Sequence, residues 1–262
     1  SNRPSQEIVE EFVSQRKATN DKNTSNSETK SLKVLVDELK IVLANRPNDL
    51  NGQRLLVKNS ARMEDYVSAR KAQKKILEIL DNKAISSDFS NYGELCIIAA
   101  SGYVSPEAAE ALKRAVSLDT RNAQANFYLS LLLLQENKIL EALNAWTHLL
   151  KLEHPSPLYI NLLGREMERL SSKVKVTFAE SQQLKPAQLD LKTVFLKSLE
   201  TFQQHLEKNG GGLESWTALI RSYSNLDFKE HAQNNIQKVK SQFLLSNSQT
   251  KALENNVWKN DF

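Results

Sequence analysis

Residues able to do chemistry are few in this chain and poorly grouped. The four histidines, His148, His154, His205 and His231, show no metal-ligand spacing, and no cysteine or carboxylate partner falls at i+4 in a zinc-like arrangement. Cys96 is the only cysteine, which excludes an internal disulfide, a thiolate metal cluster and a Cys-x-x-Cys-His of the chain's own. Gly210, Gly211 and Gly212 lack the Lys-Ser/Thr of a phosphate-gripping loop and read as a turn. No nucleophile, acid–base pair or cofactor cradle emerges, so the chain is expected to be no enzyme and to carry no metal or cofactor. The patterned charges are Arg54, Lys58 and Arg62, spaced i, i+4 and i+8, which a helix would gather into one basic stripe.

Such a stripe needs a helix, and the composition favours helices. Of 262 residues 40% are apolar and 25% charged, with only seven Gly and six Pro to interrupt. The net charge of +4 is spread along the chain, which argues against a nucleic-acid partner. The most apolar stretch, Phe127 to Leu134, is far short of the roughly 20 residues a membrane helix needs. No signal-peptide pattern opens the chain. The Ser1-Asn2 start without Met is compatible with a piece of a longer protein, for which an upstream anchor is an expectation.

Ser5 caps an expected short helix through Lys17, with Ile8, Val9, Phe12 and Val13 on one face. Thr19 to Ser31 has no apolar residue and reads as a polar linker, so residues 1–31 form a first region. Leu32, Leu35, Val36, Leu39, Val42 and Leu43 then recur at helical spacing, and Arg46-Pro47-Asn48-Asp49 ends that helix and starts another. No segment alternates like a β-hairpin.

Ala123 to Pro155 reads as two helices joined at Glu136-Asn137-Lys138, with Ser130, Leu133, Ala142, Trp146 and Leu149 at packing positions. Thirty-four residues earlier stand Cys96, Ala99, Ala108, Leu112 and Ala115, matched in size. Trp216, Leu219, Tyr223, Ala232 and Ile236 fit another such unit, and Leu56, Ser60, Met63, Ala69 and Ile76 a fourth. Paired helices at that period are the tetratricopeptide signature, because each helical hairpin leaves an apolar face that only the next one covers. The expected fold is therefore all-α, a superhelical array of hairpins with a concave groove. Residues 32–156 hold a leading helix and three units, 157–212 an interrupting helical segment, and 213–262 the fourth unit and a C-terminal tail.

In such an array the first helices of the hairpins line the groove. There the basic stripe of Arg54, Lys58 and Arg62 marks one end, and Ile97, Phe127, Leu131 and Leu134 an apolar middle. That surface suits an amphipathic helix bearing acidic residues or a terminal carboxylate.

The run VSPEAAEALKRAVSLDTRNAQANFYLSLLLLQENKILEALNAWTHLLKLEHPSP, Val104 to Pro157, resembles the tetratricopeptide domain of the cytochrome c biogenesis proteins that serve the bacterial haem lyase complex as apocytochrome chaperones. The Ser-Pro-Glu-Ala opening, the Asn-Phe-Tyr-Leu segment and the Ala-x-x-x-Trp pair carry the likeness. Gln53 stands where that family has a Trp, and Gly210 to Gly212 replace its Pro-Asp turn. The resemblance implies a periplasmic domain of an inner-membrane protein, its anchor lying outside this chain. It also implies apocytochrome c and haem lyase subunits as partners, with the C-terminal helix of the apocytochrome held for haem ligation. An adaptor or co-chaperone of another envelope assembly or secretion complex shares the same fold and is the alternative.

Overall fold

A computed structural model describes residues 26–152, 157–179 and 186–258. The short helix expected from Ser5 to Lys17 lies outside them. Among the described residues there are twelve α-helices, one 3-10 turn and no strand, which bears out the all-α expectation. Two compact units divide the chain at Lys138 and Ile139.

The first unit holds α1 (Asn26–Asn45), α2 (Leu50–Arg62), α3 (Tyr66–Leu80), α4 (Ser86–Ala99), α5 (Pro106–Leu118) and α6 (Ala123–Gln135). α1 begins inside the stretch expected to be linker. Once the apolar seam from Leu32 onward is helical, adding polar residues at its N-terminal end costs little, because propagation is cheap where nucleation is dear. Short polar side chains start four of the other helices, α2, α3, α5 and α6, as their types suggest. Asp49 accepts from the Gly52 N–H at 3.0 Å, Asp65 from Ser68 at 3.0 Å, Ser105 from Ala108 at 3.2 Å, and Asn122 from Ala125 at 2.9 Å.

One turn recurs through the chain. Glu64, Ser101, Asn137 and Asp227 all have left-handed φ, between 52° and 62°. Just beyond each, an N–H reaches back to a carbonyl five residues earlier: Asp65 to Ser60, Gly102 to Ile97, Lys138 to Leu133, and Phe228 to Tyr223. This is the helix-closing bond of a Schellman motif. The same closure occurs a fifth time, where Leu244 has φ 51° and the Leu245 N–H reaches the Lys240 carbonyl, so the turn is a repeat written in the backbone.

α4 and α6 run parallel in register. The Ser90 hydroxyl donates to Gln124 at 2.8 Å and the Tyr128 hydroxyl to Glu94 at 3.1 Å, both pairs 34 residues apart. The small residues expected at helix crossings in this unit, Ala69 and Ala108, are fully buried. Gly93 shows how tight one crossing is, since a Cβ there would sit 2.7 Å from Leu112 and 3.4 Å from the Ala108 carbonyl.

The second unit holds α7 (Ile139–Leu149), α8 (Pro157–Ala179), α9 (Pro186–Asn209), α10 (Leu213–Asn225), α11 (Lys229–Gln242) and α12 (Asn247–Trp258). Here the segment 157–212 is helical and supplies much of the unit's core. Leu162, Leu163, Met167 and Leu170 of α8 and Phe195, Leu199, Phe202 and Leu206 of α9 are all buried. Seams of that size cannot be left at the edge of a stack, since each such side chain contributes about 1.5–3 kcal/mol only when buried.

α8 lies parallel to α10 along a polar ladder. Ser215 donates to Asn161 at 2.5 Å, Arg221 to Glu168 at 3.1 Å and Asn225 to Ser171 at 3.0 Å, while Arg165 pairs with Glu214. α9 meets α7 where the Ser198 hydroxyl donates to the Leu143 carbonyl at 2.9 Å and His205 Nδ1 to that of Leu150 at 3.0 Å. It meets α11 where Asn235 donates to Gln203 at 2.9 Å and Lys238 pairs with Glu207 at 2.5 Å. Trp146 and Trp216 are buried, as their packing positions require.

Candidate partner-binding surface

α2 turns one side inward and one outward. Gly52, Gln53, Leu56 and Ser60 are buried, and the Gln53 amide donates to the Pro47 carbonyl at 2.9 Å. The opposite side carries Arg54, Lys58 and Arg62, all exposed. The stripe expected from their spacing therefore forms on one solvent-facing line.

No side chain of the three forms a hydrogen bond or ion pair with another described residue. Some other cations of this unit are compensated, while Arg46, Lys71, Lys83 and Lys113 stand unpaired among the described residues like the stripe. Arg70 and Lys74 both reach Glu107, at 3.7 and 2.9 Å, Lys75 reaches Glu78 at 3.0 Å, and Lys40 reaches Asp65 at 3.2 Å. Like charges at i, i+4 oppose a helix by about 0.2–0.5 kcal/mol per pair. The stripe thus carries an uncompensated cost that an anionic partner would relieve. Leu55, 50% exposed beside Arg54, adds apolar contact area that the spacing of charges alone did not reveal.

The apolar middle of the expected groove is corrected. Ile97, Phe127 and Leu131 are 1%, 0% and 2% exposed, and Leu134 is half-buried. The cause lies in the register of α4 and α6. Glu94 and Tyr128 join these helices, and Ile97 and Leu131 follow one turn further along each, on the buried side of the chain. The same 34-residue subtraction that exposed the repeat pairs Glu94 with Tyr128 and would have found this seam.

The remaining candidate chemistry is structural. The Glu107 carboxylate accepts from the Tyr92 hydroxyl at 2.6 Å as well as from Lys74, and those bonds hold it below the ordinary carboxylate range. Burial, chiefly, pushes the Cys96 thiol up, leaving a protonated thiol with little nucleophilic character. Burial likewise pushes His205 below its ordinary value, and its Nδ1–H is engaged with the Leu150 carbonyl. His231 stacks on Tyr223 at 5.0 Å between ring centroids, and His148 is exposed on α7. His154 lies outside the described residues. Among the described residues no three His, Cys, Asp or Glu side chains converge on a metal position, and no helix is long and apolar enough to cross a membrane.

No family model matches this chain. It is similar to the cytochrome c-type biogenesis protein CycH of Rhizobium meliloti (strain 1021), at 25% identity over an alignment that covers 76% of this chain and 55% of that protein. The match thus spans about half the length of the relative.

Proposed function

We propose that this chain is a non-catalytic tetratricopeptide-type domain of c-type cytochrome maturation that holds a partner polypeptide through the cationic face of α2. The exposed, uncompensated line of Arg54, Lys58 and Arg62 carries this reading. The recurring helix-closing turn and the 34-residue register of α4 and α6 support the repeat type. The likeness to a protein named for cytochrome c-type biogenesis supports the pathway. The client is the C-terminal helix of an apocytochrome c, whose carboxylates meet the stripe while its Cys-x-x-Cys-His stays free for haem lyase subunits. The contact is reversible, and this chain makes or breaks no bond. The site of action is the periplasm, with membrane attachment supplied from outside this chain.

Titrating an apocytochrome c C-terminal peptide into the chain by calorimetry tests the reading. Arg54→Glu with Lys58→Glu should weaken binding at least roughly tenfold, equivalent to about 1.4 kcal/mol. Equal affinity for parent and variant would remove the stripe from the mechanism. Pull-down from a periplasmic extract separates this from the adaptor alternative, by recovering c-type cytochromes and haem lyase subunits or another assembly's components.

A further inference from the structure

α11 presents one polar face to an open cleft of the second unit. Gln237, Lys238, Ser241 and Gln242 stand at i, i+1, i+4 and i+5 on that helix, and with Glu207 of α9 and Trp216 of α10 they line a cavity of about 740 Å³. That volume falls within the range of about 300–1,000 Å³ typical of ligand sites. Two polar groups of the wall are incompletely bonded. Trp216 is 1% exposed, and its indole N–H has no acceptor among the described residues. Buried donors are almost always paired, so this one calls for an acceptor. Glu207 is its complement. Oε1 of that carboxylate accepts from Lys238 at 2.5 Å and from the Gln203 amide at 3.0 Å, while Oε2 enters no hydrogen bond with a described residue. Gln203 is itself held, since its side-chain carbonyl accepts from the Tyr223 hydroxyl at 3.2 Å and from the buried Asn235 amide at 2.9 Å. The carboxylate is thereby fixed from behind before anything arrives.

We propose that this cleft binds an extended, uncharged stretch of polypeptide through its backbone. The unsatisfied indole N–H takes a peptide carbonyl, and Glu207 Oε2 takes a peptide N–H. Gln237 and Gln242 each carry both a donor and an acceptor, the combination a peptide group requires. Five residues apart, they are separated by a rise of about 7.5 Å along α11, close to the roughly 6.8 Å spanned by two residues of extended chain, so the two amides meet alternate peptide groups. The Lys238–Glu207 pair leaves this wall without net charge, which favours a neutral backbone over a carboxylate or an ammonium group. The four α11 residues are exposed, so their side chains can turn aside to admit a ligand atom to the indole. The assignment stands independently of the cationic stripe on α2 and of the client proposed for it.

Magnetic resonance of the nitrogen-15-labelled full chain tests it. The three tryptophans give three indole N–H signals, and Trp216→Phe identifies the one at issue. The probe is a tetra-alanine peptide capped with acetyl and amide groups. At millimolar peptide the Trp216 indole proton should move downfield and saturate, with the other two signals unmoved. Gln237→Ala with Gln242→Ala should raise the dissociation constant at least roughly tenfold, the loss of two ordinary hydrogen bonds, and should leave the melting temperature unchanged because both sites are exposed. An unmoved Trp216 signal in the parent, or parent affinity in the double variant, would overturn the assignment. So would an equal shift with sodium acetate, because the cleft would then be an anion site.

Discussion

At the residue scale, the informative side chains are those whose burial and bonding do not agree. The Ser60 hydroxyl in α2 is fully buried and has no partner, which costs about 1–3 kcal/mol relative to a satisfied group. Ser60→Ala should therefore raise the melting temperature, by roughly 2–4 °C if about 1 kcal/mol is recovered. A lower melting temperature would mean the hydroxyl is satisfied after all. Glu166 in α8 is wholly buried, with only the Arg169 guanidinium, at 2.7 Å, to offset the loss of water, and burial pushes its carboxyl above the ordinary value of 4.5. The folded chain then holds this proton more tightly than the unfolded chain does. Its contribution to stability is full below about pH 4.5 and is lost as pH rises through the folded value. Glu166→Gln should flatten the decline in melting temperature from pH 4.5 towards neutrality. Superimposable pH profiles for parent and variant would show that the carboxyl titrates normally.

At the scale of elements, what could be read in advance followed from periodicity, and what could not followed from which helix lies beside which. Apolar spacing and capping types located α2 to α7, and the small residues at Ala108 and Ala142 mark crossings that are fully buried. Ala142→Leu should cost roughly 1–3 kcal/mol in a thermal melt through overpacking, and a neutral result would contradict the crossing. Ile97, Phe127 and Leu131 were placed on an open face by the same periodicity and are buried instead. A single helix's pattern shows that a face is apolar, but not whether its cover is the chain or a partner. The packing of the 157–212 segment was not legible for a related reason. Its helices are longer than those of the neighbouring hairpins, so the 34-residue subtraction does not find them, although Asn161 and Ser215 or Ser171 and Asn225 pair at their own constant spacing of 54.

At the scale of the whole molecule, each unit contains a parallel helix pair joined by polar bonds at fixed register, α4 with α6 in the first and α8 with α10 in the second. The spacing of Arg54, Lys58 and Arg62 was legible before any coordinate, because charge on a helix surface depends only on sequence separation. That these cations go uncompensated was not legible, because it depends on where Asp65, Glu78 and Glu107 lie, and those carboxylates serve Lys40, Lys75, Arg70 and Lys74 instead. The central claim is that this stripe binds carboxylates of a helical peptide, and a charge swap tests it most directly. Lys58→Glu should weaken calorimetric binding of the apocytochrome c C-terminal peptide, and a peptide with one acidic residue changed to Lys should restore affinity for that variant while binding the parent less well. Additive losses with no restoration for any acidic position of the peptide would contradict the account.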